Sequence, residues 1–148
     1  KNINEFELGV NTNFFNLSKC ILFIGNEFKK KENYNLAFIS SVAGEKLRKK
    51  NFTYSISKQA ITNFAEMVNL NNLFENMNLI TIKPGFVKTK MTSHLNLPAL
   101  LTNTPLEIAK LIEKCLKNKV KIGIPWKWKI ILLILKFIPN KIFKRLNL

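Results

Sequence analysis

Three short apolar runs, at residues 35–40, 77–83 and 120–124, are separated by stretches whose apolar side chains recur at helical spacing. A short apolar run bounded by turn residues reads as a buried strand. An i, i+3, i+4 recurrence reads as a helix with one face on the core. The order is therefore helix, strand, helix, strand, helix, strand. Connections this long run the strands parallel, by right-handed crossovers that place helices on the faces of the sheet. The expected fold class is α/β.

The first helix is expected over about residues 3–28, with Phe6, Val10, Phe14, Leu17, Ile21 and Ile24 on its apolar stripe and Asn11 inside it. A polar connection at residues 29–34 leads to the first strand. A loop at residues 42–53 follows, with Gly44 and the basic run from Lys46 to Lys50. The second helix is expected over residues 54–74, with Ile61, Phe64, Ala65 and Val68 facing inward. Pro84-Gly85 ends the second strand and opens a loop reaching Thr104. Thr104 is placed to cap a third helix that starts at Pro105 and ends near Lys117. No internal repeat or low-complexity linker interrupts this pattern.

In such sheets ligands bind beyond the carboxyl ends of the strands. Ser41 and Pro84-Gly85 both follow strand ends, and Tyr54 and Lys58 open the helix that leaves the same rim. Tyr54 and Lys58 are four residues apart, one turn on one helix face. Ser41 precedes Tyr54 by thirteen residues. A phenol, an ammonium and a hydroxyl around one carbonyl suit the coupled movement of a hydride and a proton. A free tyrosine titrates near 10, and a neighbouring cation can lower that by roughly one to three units. Tyr54 then serves as general acid or base. Ser41 can donate to the carbonyl oxygen as charge develops there. The hydride must come from a cofactor.

These residues resemble the short-chain dehydrogenase/reductase family. The matching segments are Val10-Asn11, Ile39-Ser-Ser-Val-Ala-Gly44, Tyr54-Ser-Ile-Ser-Lys58-Gln-Ala60 and Pro84-Gly-Phe-Val-Lys-Thr89, spanning about residues 4–124. The resemblance implies the C-terminal part of a Rossmann-like, doubly wound parallel sheet and a dependence on NAD or NADP. It implies a catalytic tetrad of Asn11, Ser41, Tyr54 and Lys58. Lys58 would also hold the nicotinamide ribose, and Asn11 would anchor a relay water. Tyr54, Lys58, Pro84, Gly85, Val87 and Thr89 would line the cofactor. The lesser alternative for Asn11 is a helix-surface amide, and for Thr89 a loop hydroxyl. The five glycines, at 9, 25, 44, 85 and 123, form no glycine-rich cofactor motif. The chain opens on Lys1, already in a helical pattern. It is therefore expected to be the C-terminal portion of a longer enzyme, inactive or nearly so by itself and homo-oligomeric at full length. In that family the two long helices often pair between subunits, so Ile61, Phe64 and Val68 face either a partner or the core.

The formal net charge is +15, and every acidic residue is a glutamate. Such a charge favours anionic partners; the alternative source is codon drift, since the composition resembles that of a chain from an AT-rich genome. Cys20 and Cys115 have no metal or redox spacing, and His94 reads as a solvated loop residue. The expected setting is cytoplasmic. Residues 125–148 differ from the domain at 1–124: Pro125-Trp-Lys-Trp-Lys129 precedes an apolar run, and no acid follows Glu113. The run is far short of the ~20 residues that span a bilayer. Tryptophans beside lysines suit an anionic membrane surface, and Pro139 should split the tail into two short pieces. The alternative is a helix over the substrate pocket. Nucleic acid is a poor fit, since the aromatics cluster with aliphatics. The loop and tail more weakly resemble reductases of polyprenyl-phosphate-linked keto-sugars, which implies a lipid-linked carbonyl substrate. A different reading is an inactive piece that binds membranes peripherally.

Overall fold

The computed structural model describes residues 2–30, 32–46 and 51–139. Lys1, most of the basic run (47–50) and the tail from residue 140 onward lie outside the described residues.

The first rod is helical throughout but not uniformly wound. Helix α1 (Ile3–Val10) passes into a π turn at Asn11–Phe15 and then into α2 (Asn16–Glu27). Asn11, Thr12 and Asn13 are weak helix formers whose side chains compete with the backbone. The Asn13 amide donates to the Gly9 carbonyl at 3.0 Å. Phe14, inside the widened turn, meets Phe64 edge-on with ring centroids 6.5 Å apart. A 3.6-residue apolar period passes through such a turn without a visible break.

Strand β1 (Tyr34–Ile39) pairs in parallel with β2 (Met77–Ile82), from Tyr34 opposite Met77 to Ile39 opposite Ile82. Strand β5 (Ile122–Gly123) pairs in parallel on the other side of β2, giving the order β1-β2-β5. The crossovers are α3 (Phe52–Leu70) and α4 (Pro105–Lys117). The parallel sheet and its flanking helices are those expected.

Side chains alternate across β2, and each face has its own core. Leu79 and Met77 pack with Phe38 of β1, Ile21 of α2, and Ile61, Ala65 and Val68 of α3. Ile80 and Ile82 pack on the opposite face with Ile108 and Cys115 of α4. Ile61 and Val68 are thus core residues, and Phe64 packs against the same cluster. Thr104 caps α4 as expected: its hydroxyl accepts from the Glu107 N–H at 3.2 Å, and Glu107 accepts from the Thr104 N–H at 2.7 Å. Cys20, exposed, and Cys115, buried, are both free thiols, and burial raises the Cys115 thiol pKa.

Element bounds moved where the local signal was short. Helix α3 starts at Phe52 rather than Tyr54, and ends at Leu70. The segment expected as one loop, 84–104, contains β3 (Phe86–Val87) paired in parallel with β4 (Thr102–Asn103). Two-residue strands carry no readable period. The last helix, α5 (Trp126–Phe137), follows β5 directly and ends before Pro139. Among the described residues no helix is long and apolar enough to cross a membrane.

Ile80 is fully buried on the α4 face. Ile80→Ala is expected to cost about 3 kcal/mol by loss of burial and creation of a cavity. Denaturant unfolding checks this, and a cost under about 1 kcal/mol would mean that the α4 face is not a packed core.

Candidate active site

The register of β1 and β2 decides where the candidate site residues emerge. Because Ile39 lies beside Ile82, Ser40-Ser41 and Lys83-Pro84-Gly85 leave the sheet side by side. Two backbone bonds extend the pairing past the strands: Ser40 N–H donates to the Ile82 carbonyl at 2.7 Å, and Val42 N–H to the Pro84 carbonyl at 3.0 Å. The Ser40 hydroxyl is buried, 3.1 Å from the Lys58 carbonyl and 2.8 Å from the Thr62 hydroxyl. It ties the strand end to α3.

Ser41 has extended backbone (φ −162°, ψ 152°), and its side-chain oxygen accepts from the Ala43 N–H at 3.1 Å. That bond closes the short 3₁₀ turn Val42–Gly44. Gly44 lets the turn rest directly on α3, since a Cβ there would lie 2.8 Å from the Gln59 nitrogen and 2.9 Å from the Lys58 carbonyl carbon. Backbone cannot yield as a side chain can, so a side chain at position 44 would push Ser41 away from Tyr54.

Tyr54 stands on the first turn of α3, with 38% of its surface exposed. Lys58, one turn on, is buried; its Nζ donates to the Ile39 carbonyl at 3.1 Å and lies 5.7 Å from the centroid of the Tyr54 ring. Ser41 and Tyr54 open onto one cleft of about 270 Å³, walled also by Gly85, Phe86, Met91 and Trp128. Larger hollows elsewhere, of about 460 and 610 Å³, contain neither residue.

The other expected site residues divide. Pro84 is buried behind the cleft, its carbonyl held by Val42. Val87 lies just beyond, its carbonyl accepting from the Thr92 hydroxyl at 2.6 Å. Thr89 is exposed and caps the 3₁₀ turn Lys90–Thr92 in a reciprocal box with Thr92. Among the residues expected along the cofactor, Gly85 and Tyr54 reach the cleft, while Pro84, Val87 and Thr89 do not line it. Asn11 is exposed at the start of the π turn, a geometry common at functional sites. Among the described residues no hydrogen bond joins its side chain to Lys58.

Comparison with known proteins settles the family. A family model for short chain dehydrogenases matches residues 2–99. The chain belongs to the short chain dehydrogenase family. It is 30% identical over 113 residues to an uncharacterized oxidoreductase of Mycobacterium tuberculosis, covering 76% of this chain and 45% of that protein. An uncharacterized oxidoreductase of Myxococcus xanthus is 22% identical, with 90% of this chain and 53% of that protein covered. The chain thus spans about half the length of the curated relatives it matches. Among solved structures, a short chain dehydrogenase of Burkholderia cenocepacia in complex with NADP superposes with a TM-score of 0.83 at 14% identity, covering 98% of this chain and 60% of that one. A short-chain dehydrogenase of Sphingobium yanoikuyae in complex with NADPH gives 0.73 at 13% identity, covering 95% and 59%. At such identities the likeness establishes the fold.

Two features of this dehydrogenase rim were not read from the sequence. Trp128 of α5 enters the cleft wall: its indole N–H donates to the Leu101 carbonyl at 2.9 Å, and its ring meets Phe86 at 5.4 Å. Gly85 makes room for it, since a Cβ there would lie 1.8 Å from the indole nitrogen. The tail therefore supplies part of the site, as the pocket-covering alternative predicts for its first turn. The second feature is an ion pair between the two loops. Lys83 Nζ lies 2.5 Å from Glu45 Oε1, with side-chain exposures of 7% and 35%. It links the residue before Pro84-Gly85 to the end of the Ser41 turn. A lysine ending an apolar run gives no signal of such a partner.

That unequal burial predicts unequal substitutions. Glu45→Gln strands a buried ammonium and is expected to cost on the order of 2–3 kcal/mol. Lys83→Met leaves a carboxylate that water can reach and is expected to cost under about 1 kcal/mol. Denaturant midpoints of the two variants test this, and equal costs would show that the pair is solvated. For Lys58, burial holds the ammonium below the usual lysine range. The burial penalty is fully felt below that depressed pKa and fades as pH rises toward the unfolded value of ~10.4. The stability of Lys58→Met relative to the parent is expected to fall across that window. A difference that stays flat from neutral pH to about pH 10 would show that the amine is not desolvated.

Proposed function

We propose that this chain carries the proton-transfer and substrate-orienting machinery of a nicotinamide-dependent oxidoreductase acting on a carbonyl or its alcohol. The observation that supports it most is the convergence of Ser41 and Tyr54 on one cleft at the carboxyl rim, with the Lys58 ammonium beneath the tyrosine ring. In the reducing direction Tyr54 donates its proton to the carbonyl oxygen while a hydride adds to the carbon, giving the alcohol. In the oxidising direction Tyr54 accepts that proton. Ser41 donates a hydrogen bond to the same oxygen and orients it. Lys58 places positive charge near the phenol and stabilises the charge left as the proton departs. Asn11, at the π turn packed against α3, is assigned the water that refills the proton through Lys58.

NAD or NADP supplies or accepts the hydride when bound. The residues present fit the nicotinamide end of such a cofactor: hydroxyl, phenol and glycine meet at the strand ends, where α/β sheets hold ligands. Pro84, Val87 and Thr89 shape the loop beside that end. The diphosphate end needs a glycine-rich turn at a helix N-terminus, and the five glycines form none. The solved neighbours that contain NADP and NADPH support a dinucleotide. The activity is accordingly proposed for the chain within a complete, longer protein. The walls of the cleft, Phe86, Met91, Leu95 and Trp128, favour a substrate with a sizeable apolar part, such as a lipid-linked carbonyl.

In the complete protein, Tyr54→Phe is expected to lower kcat by at least ~100-fold, the usual contribution of a positioned general acid. Cofactor binding, followed by nicotinamide fluorescence, should change little. Turnover close to the parent's would remove Tyr54 from the reaction.

A further inference from the structure

Helix α5 has two faces with opposite fates. Trp128 and Leu135 are 3% and 7% exposed and fasten it to the body of the domain. Trp126, Ile130, Leu133, Ile134 and Phe137 remain 67, 51, 60, 56 and 77% exposed. At 3.6 residues per turn these five fall within an arc of about 100°. The inner anchors prevent the helix from rolling to bury that arc. Single exposed apolar residues are ordinary, but five on one arc form a patch that needs an occupant.

We propose that this face of α5 is a docking surface for an anionic lipid bilayer. Three observations select lipid. The arc is flanked by Lys127 on one side and by Lys129 and Lys136 on the other, while no acid follows Glu113 in the sequence. A tryptophan opens the arc, and its ring sits beneath the Lys127 ammonium at 5.8 Å. Rings at headgroup depth with lysines reaching to the phosphates are the pattern of helices lying in the interface. The helix has 12 residues, about 18 Å, too short to cross the ~30 Å hydrocarbon core and long enough to lie in its surface. A hollow of about 610 Å³ adjoins the face, lined by Lys46, Lys129 and Lys136 with Ile124 and Leu133, and by Glu45, whose carboxylate is paired with Lys83. It offers cations and aliphatic walls together. Since Trp128 on the opposite face walls the cleft, a docked α5 holds the cleft about one helix diameter, ~10 Å, from the headgroups.

The two tryptophans of the chain lie on opposite faces, which supplies the test. The full chain is mixed with phosphatidylcholine vesicles with or without phosphatidylglycerol, some carrying brominated acyl chains. Expected results are cosedimentation with the anionic vesicles, weakening with salt, and bromine quenching of tryptophan emission. Trp126→Phe, which leaves Trp128 alone, should remove the quenching. Leu133→Glu with Ile134→Glu should abolish binding while circular dichroism stays unchanged, because both side chains are exposed. Replacing Lys127, Lys129 and Lys136 by glutamine should weaken partitioning by about 100-fold. Several results would overturn the proposal: no binding, equal binding to neutral vesicles, binding without Trp126 quenching, or a concentration-dependent dimer that the double glutamate variant dissolves. The last would assign the face to a second copy. None of these readouts requires turnover, so the proposal stands or falls apart from the reaction.

Discussion

The parallel pairing of β1 with β2 is the interaction on which the rest depends. Its register, Ile39 beside Ile82, makes the Ser41 turn and the Pro84-Gly85 loop neighbours. Two further backbone bonds, from Ser40 to Ile82 and from Val42 to Pro84, continue the pairing beyond the sheet. Parallel pairing fixes which ends lie together, and the crossover through α3 returns the chain to the opposite edge. Tyr54 and Lys58 therefore begin their helix where β1 has just ended. Slipping the register by one residue would turn Leu79 and Ile80 to the wrong faces, so the two cores hold the site as firmly as the hydrogen bonds do.

Among the described residues two lysines are buried at this rim, and each has a different answer to the cost of burial. Lys58 gives its ammonium to the Ile39 carbonyl and keeps it beneath the Tyr54 ring. Lys83 is held by Glu45, whose carboxylate stays partly in water. Burying a cation is unfavourable unless it is partnered. The Lys58 arrangement leaves a desolvated amine next to a phenol, the pair on which the proposed proton transfer rests. The Lys83 pair ties the end of β2 to the end of the turn that holds Ser41.

Helix α5 joins the cleft to the outer surface. Its inner tryptophan takes the space left by Gly85 and meets Phe86, and its outer tryptophan stays in solvent. One short segment thus contributes both to the wall of the site and to an apolar surface flanked by lysines. Of the two readings of the tail drawn from the sequence, the pocket cover fits the face that carries Trp128, and the surface-seeking helix is what we propose for the opposite face.

Much of this protein was determined by short-range information. The order of strands and helices, the cap at Thr104, the core positions Ile61, Ala65 and Val68, and the spacing of Ser41, Tyr54 and Lys58 all follow from periods and spacings within a few turns of chain. Only the tertiary structure decided the rest. The pairing of Lys83 with Glu45, the entry of Trp128 over Gly85 and the β3–β4 ladder join residues well apart in sequence. Nothing in a local window records which distant partner a side chain will meet. The π turn at Asn11 was hidden for the opposite reason: one extra residue in a turn hardly disturbs an apolar stripe, and packing of Phe14 on Phe64 determines where it falls. Local chemistry named the candidate groups, and long-range packing set how they are held.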